Sequence, residues 1–115
     1  MRTYYCTLDV TMSIIGGKWK SLIVYHLTKE ARRTSELKRM IQGITQKMLI
    51  QQLRELEEDG IVIRKIYNQV PPKVEYSVTE LGLSMAPILI ALCEWGEKYL
   101  EETFDKGEYQ ILNKY

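Results

Sequence analysis

Gln46, Lys47, Ile50, Gln51 and Arg54 fall within one stretch, TQKMLIQQLRELEEDG from Thr45 to Gly60. At roughly 100° per residue, a helix puts Lys47, Gln51 and Arg54 on one side, with Gln46 and Ile50 flanking them. The chemistry of that set is specific. A glutamine amide can pair with an adenine edge, an arginine with guanine, and an aliphatic group can pack on a thymine methyl. No acid interrupts this face early in the helix, because Glu55, Glu57, Glu58 and Asp59 are all gathered at the far end. That order opposes the helix dipole, which favours acids at the N-terminus. A negatively charged partner at the N-terminal half accounts for it; the alternative is a solvated face of arbitrary polarity. Arg32, Arg33, Lys65 and Lys73 are candidates for phosphate contacts that position without reading sequence. Ser35 and Thr45 complete the set.

No residues are arranged for catalysis. The chain has no phosphate-cradling glycine loop, no H-E-x-x-H and no serine in an elbow motif. Gly16-Gly17-Lys18 is too short for a P-loop and reads as a helix boundary. His26 is the single histidine, with no acid paired to it in sequence, and reads as structural. Cys6 and Cys93 lack metal-ligand spacing and make no disulfide framework. No catalytic residue, metal or cofactor is therefore assigned. Cys93 lies within ILIALCEW and reads as packing. Cys6 lies just before a helix, whose unpaired amides and positive end favour a thiolate, which makes it a candidate redox sensor.

The elements that must hold the polar face can be read in order. Residues 1 to 6 form a short arm, and Leu8 to Ile15 a small apolar helix stopped by Gly16-Gly17. Lys18 to Thr28 is a second helix, with Trp19, Leu22, Ile23 and Leu27 as its apolar stripe. Arg32 and Arg33 lie in a loop or short strand; Thr34 or Ser35 then caps a helix to about Ile41. Gln42-Gly43-Ile44 turns into the helix capped by Thr45, which buries Leu49, Leu53 and Leu56 and stops at Gly60. Two helices joined by a short glycine-containing turn form a helix-turn-helix. Ile61 to Ile66 then reads as a strand, Asn68 to Lys73 as a loop and Val74 to Val78 as the returning strand. Thr79 caps a long final helix reaching about Phe104, with a weak point at Pro87. The fold is mainly α (α+β): a winged helix-turn-helix core at about 8–78 and a C-terminal dimerisation helix at 79–104.

Composition agrees with this reading. The 115 residues are 45% hydrophobic and 27% charged, ordinary for one globular domain, so 1–115 is expected to be a single domain. With no signal peptide and no membrane-spanning run, the cytosol is the default location. The net charge of +1 conceals a segregation. Residues 29 to 54 hold Lys29, Arg32, Arg33, Lys38, Arg39, Lys47 and Arg54 against Glu30 and Glu36, while residues 94 to 108 are predominantly acidic. Met85 to Trp95, MAPILIALCEW, is apolar nearly all round. A helix covered on one side by so small a domain should keep a polar face, so a homodimer is expected.

Taken together, Gly16-Gly17-Lys18-Trp19, Arg32-Arg33, Glu36-Leu37, Leu53-Arg54-Glu55-Leu56-Glu57 and Asp59-Gly60 resemble the HxlR-type bacterial transcriptional regulators, winged-helix proteins related to the MarR group. Val70 to Tyr76, Thr79-Glu80-Leu81-Gly82 and Cys93-Glu94-Trp95-Gly96 continue the resemblance, which covers about residues 6 to 100. It implies a dimer that places the helix from Thr45 in the major groove of double-stranded DNA and the hairpin near the flanking backbone. It also implies dimerisation through the first and last helices, and in some members an oxidant- or electrophile-sensing cysteine where Cys6 stands; a twofold dimer with recognition helices one DNA turn apart predicts in turn an inverted-repeat operator. Thr45-Gln46 departs from the usual Ser-Pro, and Ile50 from a frequent small polar residue; both bear on which bases are read. Two rivals make different predictions. A protein-interaction winged helix needs no cations on the recognition face, and a thiol enzyme built on Cys6 needs a base or resolving cysteine close in the chain.

Overall fold

The computed structural model describes residues 1–113 and shows α1 (Thr7–Ile15), α2 (Lys20–Leu27), α3 (Thr34–Met40), α4 (Gln46–Glu58), β1 (Val62–Tyr67), β2 (Lys73–Val78), α5 (Glu80–Leu83) and α6 (Ala86–Thr103). The arrangement is the expected winged helix: mainly helical, with a two-stranded antiparallel hairpin and a long C-terminal helix. The core is centred on α4. Its Leu49, Leu53 and Leu56 are completely buried against Ile23, Val24 and Leu27 of α2 and Leu37 of α3, with Ile61, Val62 and Tyr76 from the hairpin. Each such leucine contributes about 1.5–3 kcal/mol relative to exposure.

The ends of α4 follow from its sequence. Thr45 has extended backbone and its Oγ1 accepts a hydrogen bond from the Met48 amide at 3.1 Å. At the other end Gly60 takes φ +75°, which suits a residue without Cβ. The Gly60 amide donates to Glu57 O and the Ile61 amide to Leu56 O, so the final carbonyls are satisfied as the chain turns into β1.

Three local expectations are corrected. The cap of α3 is Arg33, not Thr34 or Ser35; its amide donates to Glu36 Oε1 at 2.9 Å, which lets the helix begin one residue earlier. In α2 the helix starts at Lys20, and Val24 rather than Leu22 is buried. Packing against α4 and β2 rotates the stripe, and Leu22 lines an open cavity beside α6. The final helix is two helices. Thr79 caps only the single turn of α5, and α6 restarts at Ala86 with Pro87 in its first turn. Proline cannot donate to Leu83 O and its ring crowds that carbonyl, whereas the first turn of a new helix tolerates it.

The hairpin pairs Val62 with Val78 through Tyr67 with Lys73. Arg32 adds a third, one-residue rung: its amide donates to Tyr76 O at 2.9 Å and the Tyr76 amide donates to Arg32 O at 2.8 Å. Thr79 joins α4, β1 and α5. Its hydroxyl accepts from the Gly82 amide at 3.0 Å and donates to Gly60 O at 2.7 Å, while its amide donates to Ile61 O at 3.0 Å. Along α6 only Leu89 is buried; Ile88, Ile90, Leu92 and Trp95 are exposed, as are Leu8 and Met12 of α1. No helix among the described residues is long and apolar enough to cross a membrane.

Candidate nucleic-acid interface

With its leucines committed to the core, α4 turns Gln46, Lys47, Gln51 and Arg54 to solvent and leaves Ile50 half-buried at their edge. Glu55 is drawn away from this face, its Oε1 lying 3.5 Å from Lys20 Nζ of α2. Glu57, Glu58 and Asp59 stay exposed at the far end.

Beside the start of α4, Thr34, Ser35, Lys38, Arg39 and Gln46 line an open cleft of about 500 Å³. The structure thus brings Ser35 of α3 and Gln46 of α4 together. It adds Lys38 and Arg39, which the sequence reading counted in the basic segment without singling them out. The signal was available: they sit three and four residues after Ser35, the helical spacing of one face.

On the hairpin, Lys65 and Lys73 share the ring of Tyr67, with Nζ atoms 4.9 and 4.8 Å from its centroid. Tyr67 donates its phenol hydrogen to Glu75 Oε1 at 3.0 Å, and Lys73 Nζ lies 3.4 Å from Glu75 Oε2. The Tyr67 hydrogen bond, then Lys73 and more weakly Arg33, hold the Glu75 carboxyl below its ordinary range despite partial desolvation. Lys73 is therefore partly engaged, whereas Lys65 is exposed. Arg64, exposed on β1, is a further cation that the sequence reading did not assign.

The two adjacent arginines divide. Arg33 is exposed. Arg32 Nη1 lies 2.6 Å from Glu30 Oε1, its side chain is 14% exposed, and its Nε is buried without a partner among the described residues. Its backbone serves the sheet and its side chain is already paired.

Cys6 is exposed at the N-cap of α1 in extended conformation, and its sulfur makes no capping bond. Cys93 is half-buried on α6, and burial pushes its thiol up. Among the described residues no group of three acids, histidines or cysteines could hold a metal ion.

A family model for the HxlR-like helix-turn-helix matches residues 14–104. The chain belongs to the HxlR-like helix-turn-helix family of transcriptional regulators. Among its relatives, the HTH-type transcriptional regulator YkvN of Bacillus subtilis (strain 168) is 60% identical, over 97% of this chain and 95% of that one. Two similar solved structures are those of the redox regulator HypR. The oxidised form is 52% identical with TM-score 0.78, covering 81% of this chain and 96% of that one. The reduced form is 48% identical with TM-score 0.80, covering 86% and 100%. The HxlR match spans the helix-turn-helix, the hairpin and all of α6, and so includes every assigned position except Cys6.

Proposed function

We propose that this HxlR-family chain binds double-stranded DNA as a twofold homodimer at an inverted-repeat operator, with α4 in the major groove. The observation that carries the reading is the outward face of α4, where Gln46, Lys47, Gln51 and Arg54 stand exposed and the acids lie at the opposite end. In this reading Gln46, Gln51 and Arg54 meet base edges, Ile50 packs on a thymine methyl and Lys47 serves the adjoining phosphates. Thr45, Ser35, Arg33, Lys65 and Lys73 position the protein on the backbone. Arg32, already paired with Glu30, acts chiefly through the sheet. The exposed apolar residues of α6 and α1 support closure by a second copy, which would set two recognition helices about 34 Å apart.

The test is fluorescence anisotropy on DNA from upstream of the chain's own gene, across a salt series. Arg33→Ala should weaken binding to all sequences and flatten the salt dependence by about one unit of slope. Gln51→Ala should instead change the ranking of operator variants. Unchanged binding by both variants overturns the assignment of the face.

A second reading concerns control. The oxidised and reduced HypR structures, and a diamide-treated structure of YodB from B. subtilis at 27% identity and TM-score 0.67, are of similar proteins. Cys6 is exposed beside α1, so a bulky adduct or a disulfide to a second copy there would displace a helix of the proposed dimer. Diamide takes up the two hydrogens that a pair of thiols loses on forming the disulfide. Diamide should release DNA from wild type and from Cys93→Ala but not from Cys6→Ala; release that survives Cys6→Ala refutes this role.

A further inference from the structure

The hairpin face turned away from the core carries more order than a solvated edge requires. Pairing of Lys65 with Glu75 and of Tyr67 with Lys73 puts these four side chains on one face, because side chains alternate along a strand. The opposite face sends Val62 and Tyr76 into the core. On the outer face Tyr67 donates its phenol hydrogen to Glu75 Oε1 at 3.0 Å, and Lys73 Nζ lies 3.4 Å from Glu75 Oε2. The Nζ atoms of Lys65 and Lys73 stand 4.9 and 4.8 Å from the centroid of the same ring. Both ammonium groups are thus tied to Tyr67, and one of them also to Glu75.

An acid in this place runs against the charge of the surface. The wing is assigned to a polyanion, and Glu75 stays ionised at neutral pH, held below its ordinary range first by the Tyr67 hydrogen bond. Its worth lies in the order it imposes. The side chains of Lys73 and Glu75 are only 27% and 22% exposed, so they are packed on the strand instead of waving in solvent. A lysine that must be immobilised on binding forfeits roughly twofold to twelvefold in affinity. Arg33, from the cap of α3, adds to the positive field on the same carboxylate, so the face keeps an excess of cations.

We propose that Tyr67 and Glu75 are positioning residues of the wing, which hold Lys65 and Lys73 ready for the phosphates of flanking DNA. The inference rests on the DNA-binding reading above and deepens it. Neither residue needs to touch DNA. The Tyr67 ring attracts both ammonium groups through its negative face, and Glu75 fixes ring and Lys73 to one another. An ammonium group has three hydrogens, so Lys73 can keep its bond to Glu75 and still donate to a phosphate oxygen. The order is present before the encounter, so less is lost on docking.

The experiment measures affinity and its salt slope for the full chain, on the duplex from upstream of its own gene and on a scrambled duplex of equal length. Tyr67→Leu leaves the net charge unchanged. It should weaken binding about fivefold on both duplexes, as expected for losing side-chain order, and leave the slope at its wild-type value. Lys65→Ala should instead lower the slope by about one unit. Tyr67→Phe keeps the ring and loses its tie to Glu75, and should fall between wild type and Tyr67→Leu. Nitrogen-15 relaxation of the lysine ammonium groups in the DNA-free chain supplies a readout independent of binding. Lys65 and Lys73 should be more ordered than the exposed Lys47, a comparison within the wild-type chain that stands even if a variant folds poorly. Lys65 and Lys73 as mobile as Lys47 overturns the proposal. So does a Tyr67→Leu chain that binds as wild type while Lys65→Ala is weakened, or one whose slope falls as that of Lys65→Ala does. Wild-type binding by both Lys65→Ala and Lys73→Ala removes the wing contact itself, and overturns that part of the DNA-binding reading together with the positioning.

Discussion

Replacing Thr79 with valine keeps the shape of the side chain and removes only its hydroxyl. That hydroxyl caps α5 through the Gly82 amide at 3.0 Å and donates to the Gly60 carbonyl at 2.7 Å. Losing an N-cap costs about 1 kcal/mol, and losing the bond to Gly60 about another 1 kcal/mol. At about 2.1 cal/mol/K per residue, unfolding this chain carries an entropy near 0.24 kcal/mol/K, so Tm should fall by about 8 °C. Circular-dichroism melts at one fixed protein concentration measure this, since the Tm of the proposed dimer would depend on concentration. Thr79→Ser retains both bonds and should stay within about 0.5 kcal/mol of wild type, the usual range for a benign change. A valine variant as stable as wild type, or a serine variant as damaged as the valine, refutes the reasoning.

Gly82→Ala should be worse than its size suggests. A Cβ there would collide with the Ile61 carbonyl oxygen and lie 3.1 Å from Val78 Cβ, so backbone must move; a loss of about 1–3 kcal/mol in denaturant titration is expected. His26 has its folded pKa below its ordinary 6.5. On acidification the unfolded chain therefore takes up this proton first, and stability is full above that value and lost as pH falls through the folded pKa. A ring that titrates above 6.5 by nuclear magnetic resonance contradicts this. Trp95→Glu, on the exposed side of α6, should shift sedimentation from dimer toward monomer at micromolar concentration while leaving the far-ultraviolet spectrum intact. A wild-type chain that sediments as a monomer removes the dimer altogether.

Much of the fold was readable because its signals are local. Thr45, the leucines at 49, 53 and 56, and Gly60 each specify their own part of α4, and each behaves as its chemistry requires. The features that escaped depend on distant partners. Leu22 and Val24 exchange exposure because α4 and β2 decide which side of α2 is inside. Arg32 was grouped with Arg33, yet its fate is set by Tyr76, far along the chain, and by Glu30. The break before α6 was half visible: Pro87 marked a weak point, but a kink and a restart look alike in sequence. The cleft that joins Ser35, Lys38 and Arg39 to Gln46 exists only once α3 and α4 cross. For the same reason the buried Tyr25 hydroxyl, without a partner among the described residues, was invisible, since a missing partner is a property of packing.

The lengthwise separation of charge on α4 has a kinetic side. Lys47 and Arg54 precede Glu57, Glu58 and Asp59, so the side chains give the helix an electric polarity in the same sense as that of its peptides, and the two add. Near a polyanion this acts as a torque. Within a Debye length of about 8 Å at physiological salt, the acidic end is pushed outward and the amide-bearing end is turned inward before any contact forms. Encounters in the wrong orientation are rejected early, so a larger share of collisions proceeds to docking. Reversing the acids would then slow association and leave dissociation nearly unchanged, a trade between arrival and residence that the equilibrium constant alone would hide.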